Sequence, residues 1–205
     1  MNKNLKKAAI LCASLVLLTA AGCAANTAET SAPASVSVSQ SAPAAIRLTT
    51  KILFINTSRD PHGNTARMVE RFLDGVPHDT LFLNDYKIYQ LGQHFGDDQL
   101  SLVFSAMSQA DTIIIGTPVY WHTMSGSLKT FIDRLYELDR PVGALSGKKL
   151  YFLMQGAAPS QDTIRQVPYI MTRVAARYDM QYMGTAVGMS ADDLAPLQNV
   201  LHQDL

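Results

Sequence analysis

The sequence contains very few cysteines: of its 205 residues, only Cys12 and Cys23 carry a thiol. Cys12 falls in an apolar N-terminal run that we interpret below as a removable segment, which leaves the mature chain with a single thiol. A single thiol excludes an intrachain disulfide, and it excludes a metal cluster held by several thiolates of one chain. The fold must therefore be stabilised by its hydrophobic core.

An excess of charge of either sign is also lacking. Lys and Arg together number 17, as do Asp and Glu, so the formal net charge at pH 7 is zero. No basic run occurs in the region that we assign to the folded part, and a nucleic-acid partner is therefore not expected. The histidines are scattered without the spacing of zinc ligands, so we predict no metal site.

The N-terminal apolar run, residues 8–18, is too short to cross a bilayer as a helix. It follows three lysines, and small residues lead from it to Cys23. This pattern resembles the signal peptide of bacterial lipoproteins, although Ala20 stands where such signals prefer leucine. We predict a lipoprotein signal peptide at residues 1–22 and lipidation of Cys23, which would anchor the protein to a bacterial membrane outside the cytoplasm. A plain secretory signal with a chance cysteine is the alternative.

Residues 23–49 are rich in Ala, Ser, Thr and Pro and contain few large apolar side chains. Such a segment cannot bury enough apolar surface to offset the entropy cost of ordering it, so we predict a disordered tether. The folded domain is expected to occupy residues 50–205.

From residue 51 onward, short apolar runs alternate with segments of helical periodicity. The run Ile113-Ile114-Ile115 is typical of a strand that is buried on both faces. The alternation indicates an α/β fold with a five-stranded parallel sheet and helices on both faces, in which ligands bind at the carboxyl ends of the strands. Strands are predicted at 51–56, 80–84, 111–117, 150–154 and 181–187, and helices at 64–73, 98–110, 125–138, 162–178 and 191–202.

The loop after the first strand, residues 57–65, leads directly into a helix and carries hydroxyls, a glycine and an arginine. Hydroxyl groups and backbone N–H groups at a helix N-terminus suit a phosphate. Ser58 and Thr65 would donate hydrogen bonds to phosphate oxygens, and Arg59 would add positive charge. Simple helix capping by Asn64 or Thr65 is the alternative.

The loop after the third strand reads GTPVYWHTMSG from Gly116 to Gly126. Aromatic faces and backbone groups at the ligand-facing edge of a sheet suit a flat heteroaromatic ring. Packing of Tyr120 and Trp121 against a neighbouring loop is the alternative.

The chain resembles the flavodoxin-like NADPH-dependent FMN reductase family in Ser58 with GNT at 63–65, GTPVYW at 116–121, MSG at 124–126 and KTFIDR at 129–134. The resemblance covers residues 51–187 and implies a flavodoxin-like three-layer sandwich that binds FMN. It places the phosphate on the first loop and the isoalloxazine on the second, with a glycine after the fourth strand that lets the backbone approach the ring. The candidate cofactor-binding residues are Ser58, Arg59, Gly63, Asn64, Thr65, Pro118, Val119, Tyr120, Trp121, His122, Met124, Ser125, Gly126 and Gly156.

No side chain is assigned a catalytic role, because the flavin itself carries the chemistry in such proteins. His122 is a weak candidate for a proton donor, since histidine titrates near neutral pH. The resemblance also identifies one departure. Relatives commonly carry an arginine two residues after the first-loop serine, whereas this chain has Asp60 there, and an acidic group disfavours a nearby phosphate.

The function implied by the resemblance is an FMN-dependent oxidoreductase. NAD(P)H is the candidate co-substrate, and the acceptor would be a quinone, a flavin or a similar small molecule. Homodimers or larger homo-oligomers are expected, with the membrane contacted through the lipid anchor only. Because reduced nicotinamide is a cytoplasmic metabolite, the alternative is an FMN-bearing electron-transfer carrier that a membrane partner feeds.

Replacing Cys23 tests the anchor. Without this thiol no lipid can be attached, so Cys23→Ser is expected to move the protein from the membrane fraction to the soluble fraction after ultracentrifugation. Cys12→Ser is the matched control, because it keeps the lipidation site and should leave the protein in the membrane fraction. Continued membrane association of the Cys23→Ser protein would show that lipid is not the anchor.

Overall fold

The computed structural model describes residues 44–138 and 143–205, so the predicted signal peptide and most of the predicted tether lie outside the described residues. The strands are β1 (Ile52–Asn56), β2 (Asp79–Phe82), β3 (Thr112–Pro118), β4 (Lys149–Gln155) and β5 (Gln181–Val187). The α-helices are α1 (Asn64–Leu73), α2 (Leu100–Gln109), α3 (Gly126–Arg134), α4 (Gln161–Arg177) and α5 (Ala191–Asp204).

The predicted α/β architecture is confirmed: the sheet has five parallel strands in the order β2-β1-β3-β4-β5. Most predicted element boundaries differ from the observed ones by only one or two residues. The exception is the third helix, predicted to reach residue 138, which ends at Arg134 and continues as a 3₁₀ helix over Leu135–Leu138. The fourth helix runs through Pro168 without ending there.

The strand order reverses direction between β1 and β3. From β1 the chain moves outward to β2, and it then returns to the other side of β1 to form β3 and continue to β5. The carboxyl ends of β1 and β3 therefore lie side by side with their connections leaving in opposite directions. This opens the crevice in which doubly wound folds bind their ligands.

The core consists of two layers, one on each face of the sheet. On one face, Leu53 and Ile55 belong to a buried cluster that includes residues of α2, α3 and α4. On the other face, Phe54 and Ile114 are buried among residues of α1 and α5. Because both faces are covered, β1 and β3 consist entirely of buried residues, and this explains their nearly continuous apolar sequences.

The last residues of the predicted tether lie against the domain. The Asp79 carboxylate accepts hydrogen bonds from the hydroxyls of Thr49 and Thr50, each at 2.8 Å, and Gln109 donates to the carbonyl of Ile46 at 2.9 Å. Ile46 also packs against the core. This segment meets the sheet at the amino ends of β1 and β2, the edge opposite to the carboxyl ends. Within the described ranges, no helix has the length and apolar character needed to cross a membrane.

Arg134, the last residue of α3, is buried and anchors the long connection between β2 and α2. Its guanidinium donates to the Asp98 carboxylate at 2.7 Å, to the Tyr89 carbonyl at 2.9 Å and to the Glu137 carboxylate at 2.8 Å. Burial raises the pKa of the Asp98 carboxyl, but hydrogen bonds from Arg134 and from the Leu100 and Tyr89 N–H groups outweigh burial, so this pKa lies below its usual value.

The variant Asp98→Asn tests this ion pair. In this variant Arg134 would keep only Glu137 as a charged partner. We expect the free energy of unfolding at pH 7 to fall by roughly 2 kcal/mol, which is less than the loss caused by breaking a fully buried ion pair. The ionised Asp98 carboxylate contributes its full stabilisation above about pH 4, which is the pKa of an aspartate in the unfolded chain. This contribution is lost as the pH falls through the pKa of Asp98 in the folded protein, which is lower. The difference between wild type and variant, measured by urea unfolding, should therefore shrink below about pH 4.

Asp133→Asn is the matched control, because Asp133 pairs with Lys129 at the exposed surface of the same helix. It should change the free energy of unfolding by less than about 0.5 kcal/mol. A loss of stability for Asp98→Asn that stays constant down to pH 2 would contradict an electrostatic role of the carboxylate.

Candidate functional site

A cavity of about 340 Å³ opens at the carboxyl ends of β1, β3 and β4. Three connections surround it: the loop from β1 to α1, the loop from β3 to α3, and the residues after β4. Its volume lies at the lower end of the range of small-molecule sites in proteins, about 300–1,000 Å³. The lining residues are Ser58, Arg59, Asp60, Gly63, Asn64, Arg67, Pro118, Val119, Tyr120, Gln155, Gly156 and Ala157.

Hydrogen bonds within the loop after β1 hold its shape. The Asn56 side chain accepts from the Ser58 N–H at 3.0 Å and donates to the Pro61 carbonyl at 3.3 Å. The Ser58 hydroxyl accepts from the Asp60 N–H at 3.2 Å, and the Asp60 carboxylate accepts from the His62 N–H at 2.9 Å. These local bonds place the Ser58 side chain and the Asp60 carboxylate on the same cavity wall.

One end of the cavity is polar and contains the N-terminus of α1. The residue before α1 is Gly63, which has no side chain to accept hydrogen bonds from the first turn. The N–H groups of that turn are therefore available to a ligand, and the positive end of the helix dipole faces the same space. Arg59 and Arg67 add two guanidinium groups to this wall. The arrangement suits an anion such as a phosphate.

The other end of the cavity is formed by backbone and apolar groups of the loop after β3. The Val119 N–H donates to the Gln155 carbonyl at 2.7 Å, which extends the β3–β4 pairing to the cavity rim. A β-carbon on Gly156 would lie 2.8 Å from the β-carbon of Val119, so only glycine permits this approach. Pro118, Val119 and Tyr120 line this part of the cavity, and their apolar groups suit the edge or face of a flat ring.

Trp121 and His122 lie outside the cavity lining. They form the tip of a tight turn, in which Tyr120 and Thr123 exchange two backbone hydrogen bonds of 3.0 and 3.1 Å. Both tip residues adopt left-handed backbone conformations, with φ of 49° and 59°. The Thr163 hydroxyl donates to the His122 carbonyl at 2.7 Å and ties the turn to α4. Trp121 is 97% exposed. Its contact with the isoalloxazine stays a prediction.

The predicted residues Met124, Ser125 and Gly126 likewise do not line the cavity. Met124 and Ser125 are buried, and Gly126 is the first residue of α3. The Ser125 hydroxyl donates to the Thr57 hydroxyl at 3.1 Å and accepts from the Leu128 N–H at 3.2 Å, so it caps α3 and connects the two loops. These residues therefore stabilise the loop after β3 without lining the cavity.

Thr65 is also buried beneath the cavity surface. Its hydroxyl accepts a hydrogen bond of 3.2 Å from the Gln155 amide, and its methyl group faces Gly116. A direct hydrogen bond from Thr65 to a phosphate stays a prediction. The remaining candidates from the sequence, Ser58, Arg59, Gly63, Asn64, Pro118, Val119, Tyr120 and Gly156, all line the cavity.

Two residues of the lining were missed by the sequence analysis and bear on the chemistry. Arg67 lies three residues after Asn64, so both are on one face of α1, and this spacing was a signal that could have been used. Gln155 ends β4, and its side chain reaches Thr65 across the sheet, which no local pattern indicates. In the described part of the chain, no group of His, Cys, Asp or Glu side chains could hold a metal ion.

The residues present fit FMN. The cavity has cations and free helix N–H groups at one end and an apolar wall at the other, and Gly156 leaves space where a side chain would close the gap. FMN has two corresponding ends, an anionic phosphate and a flat isoalloxazine ring. The predicted orientation of FMN, with the phosphate on the first loop, is therefore compatible with the cavity.

Comparisons with known proteins point in the same direction. A protein of Bacillus subtilis (strain 168) whose name describes an NAD(P)H-dependent FMN-containing oxidoreductase is 32% identical over 92 residues, 41% of this chain and 51% of that protein. The chain thus spans about half the length of this curated relative.

Solved structures support the flavodoxin-like fold. The Trp repressor binding protein from Bacillus subtilis superposes with a TM-score of 0.60 at 22% identity, over 74% of this chain and 97% of that one. The apo form of an NADH:FMN oxidoreductase gives a TM-score of 0.57 at 21% identity, over 76% and 88% of the two chains. At such identities the similarity establishes the fold, and the predicted fold is confirmed.

The family itself is established by sequence. The family model described as NADPH-dependent FMN reductase matches residues 50–193, which is more than half of the chain. This range contains every residue of the cavity lining and all five strands. The chain therefore belongs to the NADPH-dependent FMN reductase family.

Proposed function

We propose that this chain binds FMN in the cavity at the carboxyl ends of β1, β3 and β4 and acts as an NAD(P)H-dependent oxidoreductase. Its acceptor would be a quinone, another flavin or a similar small molecule. The observation that carries the proposal is the convergence of three loops on one cavity with an anion-binding end and an apolar end, in a chain of this family. Family membership also supports FMN and NAD(P)H as the cofactor and co-substrate.

The chain's own residues would bind and orient the cofactor. When bound, FMN supplies the hydride and electron chemistry. The first turn of α1, with Ser58 and the nearby arginines, would hold the phosphate, while Val119 and Tyr120 would position the ring. The cavity is open to solvent on one side, which leaves room for a nicotinamide or an acceptor to reach the ring.

A location outside the cytoplasm, with the protein held by lipid at Cys23, is part of this proposal. It rests on the sequence pattern of residues 1–23. The segment that precedes β1 meets the domain at the amino ends of the strands, whereas the cavity lies at their carboxyl ends. A tether attached at that edge would leave the cavity accessible.

An FMN-bearing electron carrier is the second candidate function. The predicted export favours it, because a domain outside the cytoplasm is separated from the reduced nicotinamide pool. A membrane partner would then feed electrons to the flavin in place of NAD(P)H. The same cavity would serve both functions, so they differ only in the donor.

Self-association is a further part of the proposal. Tyr136, which is 66% exposed, lines an apolar groove of about 210 Å³ between α3 and α4. Large exposed apolar side chains around a groove are typical of protein interfaces. A homodimer or larger homo-oligomer that buries this region would be consistent with these features.

An anaerobic titration separates the two candidate functions. The purified protein should be yellow, with the absorption of a bound flavin, and NAD(P)H should bleach this absorption promptly if the chain is a reductase. Bleaching by dithionite alone would favour the electron carrier. A protein that retains no flavin and takes up none when FMN is added would overturn the proposal.

Gly156→Ala tests the position of the ring. The added methyl carbon would lie 2.8 Å from the β-carbon of Val119, so the two loops must move apart. Because Val119 lines the cavity, its displacement should misplace the ring, and we expect the dissociation constant for FMN, measured by flavin fluorescence, to rise about tenfold.

Gly96→Ala is the control, because its added carbon meets no atom within 4 Å and Gly96 does not line the cavity. Its affinity for FMN should equal that of the wild type. If Gly156→Ala bound FMN as tightly as Gly96→Ala, the ring could not lie against this glycine.

A further inference from the structure

The polar end of the cavity contains an acidic side chain as well as basic ones. Asp60 lies on the loop after β1, and its carboxylate faces Gly63 closely: a β-carbon built on Gly63 would lie 3.2 Å from the carboxylate carbon. Asp60 therefore lies beside the N-terminus of α1, where a phosphate would bind. A carboxylate at this place repels an anionic ligand.

Arg67 lies at the same end, one turn into α1. Its guanidinium donates to the His62 carbonyl at 3.2 Å and to the Asn64 side-chain oxygen, so it folds back from the helix over the loop. A guanidinium has five N–H donors, and these two bonds leave others for a ligand. Both loop partners of Arg67 lie within four residues of Asp60.

We propose that Arg67 is a phosphate-binding residue of this chain and that its charge offsets that of Asp60. The inference rests on the proposed binding of FMN and assigns the charges that recognise its phosphate. The charged side chains that line the cavity are Arg59, Asp60 and Arg67, so their sum is one positive charge. Without Arg67 the sum would be zero, and the phosphate would keep only the attraction of the N–H groups and the dipole at the start of α1.

A guanidinium is well suited to this position. Its planar group can hold the loop oxygens with one edge and a phosphate with another. The side chain also reaches the cavity from a rigid helix rather than from the loop. The net positive charge at the phosphate end would therefore be supplied by a residue of α1, whereas Asp60 belongs to the loop.

A purely structural role is the competing explanation, since Arg67 also holds two loop oxygens. The two explanations differ in how they respond to the phosphate and to Asp60. Loss of loop structure would weaken FMN binding in a way that removing the Asp60 carboxylate could not repair. Loss of charge would weaken FMN and spare riboflavin, which has the same ring and no phosphate, and removing the Asp60 carboxylate would restore much of the FMN affinity.

The experiment measures the dissociation constants of FMN and riboflavin for the full chain by quenching of flavin fluorescence. The variants are Arg67→Met, Asp60→Asn and the double variant. Asparagine keeps a side-chain oxygen that can accept from the His62 N–H, so Asp60→Asn changes the charge and preserves this turn. Arg71→Met is the control, because Arg71 lies one turn further along α1 and donates to the Met189 carbonyl away from the cavity.

Arg67→Met should raise the dissociation constant for FMN about tenfold or more, since a hydrogen bond to a charged group is lost, and should leave that for riboflavin unchanged. Asp60→Asn should tighten FMN binding, and the double variant should recover most of the affinity lost in Arg67→Met. Arg71→Met should bind both flavins as the wild type does.

Three results would overturn the inference while leaving flavin binding in place. These are equal weakening of FMN and riboflavin by Arg67→Met, no effect of that variant on FMN, and no recovery in the double variant. A wild-type protein that binds neither flavin would overturn the proposed function, and the inference with it.

Discussion

The parallel pairing of β1 with β3 is the constraint on which the site depends. Asn56, the last residue of β1, pairs with Gly116, and the Thr57 N–H continues the ladder by donating to the Gly116 carbonyl at 3.0 Å. β3 continues to Pro118, so the loops after β1 and β3 leave the sheet from neighbouring strands within two residues of each other. Because the chain leaves β1 and β3 in opposite directions, the two loops diverge and leave a crevice between them.

A buried polar chain keeps the two loops in a fixed relation. The Thr57 hydroxyl donates to the Gly116 carbonyl and accepts from the Ser125 hydroxyl, while the Ser125 N–H donates to Thr117. In the described part of the chain, no buried side-chain polar atom lacks a hydrogen-bond partner. A fully satisfied network of this kind is rigid, since each broken bond would leave a desolvated group unpaired. The shape of the cavity is therefore determined in part by buried residues that do not line it.

Local patterns explain why most of the fold could be predicted. The isoleucine run of β3 and the apolar run of β1 are long enough to identify buried strands, and the loops between elements carry distinctive residues. Eight of the candidates line the cavity, because the carboxyl ends of parallel strands meet at one edge, while their contacts with a cofactor stay predictions. The sequence could not separate lining residues from supporting ones. Ser125 and Thr65 have the right chemistry for a ligand, but burial directs their hydroxyls to other side chains.

Asp60 illustrates why charge in a loop cannot be interpreted from sequence neighbours alone. In the sequence it stands where the family resemblance leads us to expect an arginine, which suggests a weakened anion site. In the structure both Asp60 and Arg67, seven residues away, line the cavity, because the Arg67 side chain folds back from α1 over the loop. The electrostatic character of the site is a sum over all the charged groups that line it, and both residues belong to that sum. Under the proposed role of Arg67, an acidic residue in such a loop is compatible with an anion site because the neighbouring helix supplies the opposite charge.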